Sequence, residues 1–134
     1  MLIDDDPATN FLSNMIIDEA DCALHIRTQT TAKDALNYIT SADLNSKNET
    51  LPYPDLIFLD INMPWMNGWE FLEEYYKLDK QFQSEAIVVM LTTSNNPDDK
   101  IKAKLFNGVS DFKTKPLTKE MLEEIIDKYF KQQQ

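Results

Sequence analysis

Two apolar runs, Leu-Ile-Phe-Leu at 56–59 and Ala-Ile-Val-Val-Met-Leu at 86–91, restrict the fold of this chain more than any other feature. Neither alternates apolar with polar residues, so neither suits a strand with one face in water; both suit parallel strands covered on both faces. Shorter or weaker runs stand at 2–3, at 22–26 (Cys-Ala-Leu-His-Ile) and at 108–112 (Gly-Val-Ser-Asp-Phe), which makes five strands. Segments of helical period separate them. Phe11, Leu12, Met15 and Ile16 are spaced for one helix face, and Met121, Leu122, Ile125, Ile126, Tyr129 and Phe130 form an apolar stripe. A further helix is expected from about Trp69 to Lys77, burying Phe71, Leu72 and Tyr75. Helix starts fall at capping residues: Asp6 before Pro7, Thr31 with Asp34 three on, Asn96 before Pro97, and Thr118 after Pro116. Strands alternating with helices imply a parallel α/β sheet with helices on both faces and right-handed crossovers.

The 134 residues suit one domain, expected to span 1–131 with 132–134 as a frayed tail. The polar stretch 40–54 reads as a surface loop rather than a boundary. With 23 acidic against 13 basic residues the formal charge is -10, which disfavours a nucleic-acid backbone or an anionic membrane surface. No apolar run approaches the roughly 20 residues that cross a bilayer. The single cysteine, Cys22, cannot form an internal disulfide and fits a reducing, cytoplasmic compartment; it reads as a small buried hydrophobe. His25 reads as a strand residue rather than a phosphate carrier, and Trp65 and Trp69 read as packing residues.

In an open parallel sheet the carboxyl ends of all strands meet at one edge, where ligands bind. Each run hands over to polar groups at that edge. Asp4, Asp5 and Asp6 follow the first, Asp60 the third, Thr92 the fourth, and Lys115 lies beyond the fifth. Clustered carboxylates raise one another's proton affinity unless a cation joins them, and a hard divalent ion such as Mg²⁺ takes oxygen ligands. Asp5, Asp60 and the backbone carbonyl of Asn62 are the candidate ligands, with Asp4 acting through a water. A phosphoryl group held there needs fixed donors on its remaining oxygens, which Lys115 and Thr92 can supply. Asp60, alone at its strand end, is the candidate nucleophile that would form an aspartyl phosphate.

Four blocks, Leu-Ile-Asp-Asp-Asp-Pro at 2–7, the segment 56–72 around Asp60, Val-Val-Met-Leu-Thr-Thr-Ser at 88–94, and Asp-Phe-Lys-Thr-Lys-Pro-Leu-Thr at 111–118, resemble in order the signature blocks of the response-regulator receiver domain. The resemblance implies a flavodoxin-like, doubly wound sheet of strand order 2-1-3-4-5. It implies that Asp60 accepts phosphate from a histidine kinase or histidine phosphotransfer protein, that Asp4 and Asp5 are the acidic pair holding Mg²⁺, and that Lys115, before a cis proline at Pro116, binds the phosphate. It further implies a switch in which the Thr92 hydroxyl moves toward the phosphate and the aromatic at Phe112 rotates inward; Phe112 lacks a phenolic hydroxyl, so its part would rest on packing. Asn67 stands where the family often has Asp and reads as a turn residue beside Gly68. Thr93 is larger than the Ala or Ser often found there and would crowd the pocket against water. The chain stops soon after its last helix, so its output is expected to be contact with a downstream protein target.

Two other readings compete. A receiver-shaped interaction module that no longer takes phosphate would not need the acidic pair, Asp60, Thr92 and Lys115 together. An aspartate-nucleophile phosphohydrolase of the haloacid-dehalogenase kind would use Asp4 and Asp6 as its Asp-x-Asp pair, but it wants a late acidic pair, and Asp98 and Asp99 open a helix. It also leaves Asp60 unexplained.

Overall fold

The computed structural model describes residues 1–20, 26–41, 54–78, 86–93, 96–106 and 108–130. Five strands and five helices alternate: β1 (Leu2–Ile3), α1 (Pro7–Ala20), β2 (Thr28–Gln29), α2 (Ala32–Ser41), β3 (Leu56–Leu59), α3 (Gly68–Lys77), β4 (Ile87–Thr92), α4 (Pro97–Leu105), β5 (Asp111–Thr114) and α5 (Lys119–Tyr129). The strands form one sheet of order β2-β1-β3-β4-β5, every pairing parallel. The doubly wound architecture expected from the sequence is the one observed.

The apolar runs are buried for the reason their sequence suggests. Ile57, Leu59, Val88 and Met90 belong to a core with α2 and α3 residues such as Ile39, Phe71, Leu72 and Tyr75. Phe58, Val89 and Leu91 point the other way and pack with Ile17 of α1 and with Leu122 and Ile125 of α5. Successive strand side chains thus serve opposite cores, and each run has to be apolar throughout.

Three elements depart from expectation. β2 lies at Thr28–Gln29; Ile26 is outside it, and residues 22–25, with Cys22 and His25, lie outside the described residues. A two-residue strand of Thr and Gln carries no apolar signal, so the apolar run just before it drew the expectation. β5 runs Asp111–Thr114, three residues beyond the expected start; the Ser110 N–H, just before it, donates to the Val88 carbonyl at 2.8 Å. The apolar face of α1 is the third: Phe11, Leu12 and Met15 are exposed, Ile16 is half-buried, and the buried residues are Asn10, Ser13 and Ile17. The inner face of α1 is set by contact with the sheet edge, described below, and not by its apolar stripe. Most of the loop at 40–54 and the tail at 132–134 lie outside the described residues.

The caps follow the sequence closely. Asp6 accepts from the Ala8 N–H at 3.1 Å and from the Thr9 hydroxyl at 2.7 Å, Thr31 accepts from the Asp34 N–H, Asn96 caps α4 and Thr118 caps α5. Asn67, expected as a turn residue, is the N-cap of α3: its side chain accepts from the Glu70 N–H and the Glu70 carboxylate accepts from the Asn67 N–H, a reciprocal capping box. Gly68 then meets the backbone of β3's end. Its N–H donates to the Ile61 carbonyl at 2.8 Å, and a Cβ there would stand 2.5 Å from the Asp60 carbonyl oxygen and 3.0 Å from the Ile61 Cα. Those are backbone atoms, which cannot rotate aside. Gly68→Ala should therefore cost about 1–3 kcal/mol of stability by overpacking, read as a lower midpoint in urea unfolding; an unchanged midpoint would mean that the α3 start can retreat freely.

Candidate functional site

Asp60 follows the last residue of β3 and is 5% exposed. Its N–H donates to the Ile3 carbonyl at 2.9 Å, which extends the β1–β3 ladder and fixes its backbone beside the end of β1. Asp4, also 5% exposed, is held from three sides. Its N–H donates to the Gln29 carbonyl at 3.1 Å, its carbonyl accepts from Asn10 Nδ2 at 2.8 Å, and its Oδ1 accepts from the Asp6 N–H at 2.9 Å. Buried Asn10 is thus the reason α1 turns a polar face inward: it anchors the helix to the strand end that carries the carboxylates. Asp5, next to Asp4, is exposed at the rim.

One oxygen from each of Asp4, Asp5 and Asp60 lies within 4.8 Å of the others, the one such acidic group among the described residues. Across this group reaches Lys115. Its Nζ contacts Asp4 Oδ2 directly and stands 3.5 Å from Asp60 Oδ1, with all three side chains largely buried. The Lys115 N–H donates to the Thr92 carbonyl at 2.9 Å, tying the β5–α5 connection to the end of β4, and the Lys115–Pro116 peptide is cis, as the resemblance implies. Thr92 closes β4 and is wholly buried. Burial, and then the adjacent Asp4 carboxylate, push the Asp60 carboxyl above the ordinary range; Lys115 and the Asn62 backbone N–H oppose that rise without cancelling it.

The donor set fits a hard divalent ion. All the ligand atoms on offer are oxygens, the donors that Mg²⁺ takes, and they lie within 4.8 Å of one another. Asn62 follows at once on Ile61, beside the cluster. Asp6 is not part of it: its carboxylate is spent on the α1 cap, and the Thr9 hydroxyl and Ala8 N–H hold its carboxyl below the ordinary range. Asp98 and Asp99 sit in the first turn of α4, outside the cluster, so the Asp-x-Asp reading with a late acidic pair finds no support. Phe112 is not among the carboxylates either. It lies half-buried on β5 opposite Met90, against the core that contains Trp69 and Ala103.

Sequence reasoning missed two features. Asn10 gives no signal alone, although its place one turn after Asp6 would put a polar group on the inner face of α1. Trp65, read as a packing residue, is 92% exposed and takes a left-handed φ of 68°; Trp69, read the same way, is indeed buried.

A family model described as "Response regulator receiver domain" matches residues 1–127. The probable C4-dicarboxylate response regulator DctR of Halalkalibacterium halodurans is 28% identical over 133 residues, which cover 96% of this chain and 50% of that protein. Hybrid signal transduction histidine kinase L of Dictyostelium discoideum is 36% identical over 78 residues, 58% of this chain and 4% of that protein. The chain thus spans half or less of the length of these curated relatives. Among solved structures, a two component response regulator from Cytophaga hutchinsonii superposes with a TM-score of 0.85 at 31% identity, covering 97% of this chain and 94% of that one.

Because the folded state raises the Asp60 carboxyl, it holds that proton more tightly than the unfolded chain does; stability is lost as pH rises through that range, and ionised Asp60 is a cost at neutral pH. Asp60→Asn in metal-free buffer at pH 7 should raise the thermal midpoint by a few degrees, on the order of 1 kcal/mol. At pH 3, where both states are protonated, the gain should vanish. A lower midpoint at pH 7 would show that Asp60 stabilises the fold through Lys115 more than its burial costs.

Proposed function

The chain belongs to the response regulator receiver domain family of two-component signalling, and on that premise we propose that it is a phosphorylation switch whose phosphoacceptor is Asp60. The observation that carries the reading is the joining of buried Asp60 with Asp4 and Asp5 on one side and the Lys115 ammonium on the other. The donor is a phosphohistidine on a histidine kinase or phosphotransfer protein. An Asp60 oxygen bonds to phosphorus as the phosphorus–nitrogen bond to the donor imidazole breaks, and that bond's electron pair returns to the ring nitrogen.

Each neighbour has a task set by its chemistry. Lys115 already spans Asp4 and Asp60, so its ammonium needs only a small movement to meet a phosphoryl oxygen. Asp5, Asp60 and the Asn62 carbonyl would hold Mg²⁺, with Asp4 acting through a water, and the ion would supply neutralising charge between carboxylates and phosphoryl group. Thr92, buried at the end of β4, is the hydroxyl that answers the new charge. Phe112 lies one strand over, opposite Met90, where a shift of β4 is felt as a change of packing. The switch then acts by biasing two arrangements of the surface around α4 and β5 that a downstream protein target distinguishes. Receiver domains are signalling domains, and this chain's chemistry is confined to gaining and losing its own phosphoryl group. The setting is cytoplasmic on the same reading; no described helix is long and apolar enough to cross a membrane.

Incubation with acetyl phosphate and Mg²⁺ should add one phosphoryl group by intact mass, mapped by peptide to Asp60, lost in EDTA and absent in Asp60→Asn. A label on Asp4, or none at all, would sink the assignment. Thr93 is exposed next to Thr92 in the chain, and Thr93→Ala should speed loss of the phosphoryl group several-fold by admitting water; equal decay rates for variant and parent would remove that role.

A further inference from the structure

We propose that Trp65 is a docking contact for the protein that delivers phosphate to Asp60, governing transfer from a macromolecular donor and not from a small one. The inference rests on the Asp60 reading above. It starts from a residue that the fold itself does not need. Trp65 is 92% exposed, so its ring adds almost nothing to the core, and its φ of 68° is one that a bulky side chain rarely adopts. Folding physics alone would place Asn or Gly there.

The loop around it is nevertheless well fixed. The Ile61 carbonyl accepts from the N–H groups of Met63 at 3.2 Å and Gly68 at 2.8 Å, and the Met66 N–H donates to the Pro64 carbonyl at 2.8 Å. The indole is therefore carried on a closed loop. Its distance from the site is bounded by chain reach: three residues separate Trp65 from Gly68, at most about 11 Å between Cα atoms, and Gly68 lies against the Asp60 carbonyl. The Trp65 Cα is thus within roughly 15 Å of the Asp60 carbonyl oxygen.

A small phosphodonor enters the cleft alone. A protein donor cannot, because Asp60 is 5% exposed and a phosphohistidine reaches it only when the surface bearing that histidine closes over the rim. An interface of ordinary size covers about 800 Å² on each partner, a disc of about 16 Å radius. Centred on Asp60, such a disc is wide enough to reach Trp65. An exposed indole on a fixed backbone suits an anchor at such a place, since Trp loses little rotamer freedom on burial and is enriched among the residues that dominate binding.

The test compares two donors on parent, Trp65→Ala and Trp65→Asn, the last keeping a residue that accepts the left-handed backbone. The donors are acetyl phosphate with Mg²⁺ and a purified phosphohistidine phosphotransfer domain lacking tryptophan; a noncognate domain serves, because any donor surface that reaches Asp60 closes over the same rim. Both variants should take phosphate from acetyl phosphate within about 2-fold of the parent, and from the domain at least about 10-fold more slowly. Equal losses with both donors, or none with either, overturn the proposal. Failure of the parent to take phosphate from acetyl phosphate defeats the Asp60 reading instead. Binding is read separately in a Trp69→Phe background, where Trp65 is the remaining tryptophan: the unphosphorylated domain should protect it from acrylamide quenching, and unchanged quenching at saturating domain overturns the proposal whether or not that domain is a good donor.

Discussion

Two buried carboxylates share one ammonium at the edge of this sheet, and the rest of the site is arranged around that contact. Asp4 follows β1, Asp60 follows β3 and Lys115 follows β5, so a single charged contact draws together strands that are not all neighbours in the sheet. Taking charges from water is expensive, and a pair is retained only where geometry and further hydrogen bonds offset that cost. Here the offset is incomplete. Asp5 joins Asp4 and Asp60 at the rim, so the carboxylates of the cluster outnumber the one ammonium that reaches into it. That imbalance is what a divalent cation would offset.

The sheet makes such a cluster possible at modest cost to the fold. Both cores lie between sheet and helices, and the apolar residues of β3 and β4 alternate between them, buried from Ile57 and from Val88 onward. The carboxylates stand one residue past these buried runs, where the ladder hydrogen bonds continue but the apolar packing has ended. Gly68 makes the remaining space: by lacking a Cβ it lets the start of α3 rest on the Asp60 carbonyl, so that the loop after β3 folds back at the site's edge.

Much of this could be read in the sequence, because the signals were local. Continuous apolar runs fix β3 and β4, the caps at Asp6, Asn96 and Thr118 fix helix starts, and the parallel order sends Asp4, Asp60, Thr92 and Lys115 to one edge. What could not be read depends on tertiary contact. β2 has two polar residues and is a strand only because β1 lies beside it. The inward face of α1 is decided by Asn10 meeting the Asp4 carbonyl, against an apolar stripe that pointed elsewhere. Asn67 looks like a turn residue until Glu70 reaches back to make it a cap.

The two tryptophans show the same division within one loop. Four residues apart, with nearly the same sequence signal, Trp69 enters the core on the first turn of α3 while Trp65 is turned into solvent by a left-handed backbone. Hydrophobicity predicts burial for both, so it accounts for only one. A sequence that folds consistently violates its own rules at few places, and those violations tend to gather where function is exercised. In this chain the buried carboxylates Asp4 and Asp60 break the rule for charge, and Trp65 breaks the rules for apolar surface and for backbone. All three belong to the same sheet edge. The exposed indole is therefore better understood with the carboxylates than with the core, as part of the rim on which a protein donor to Asp60 is proposed to close.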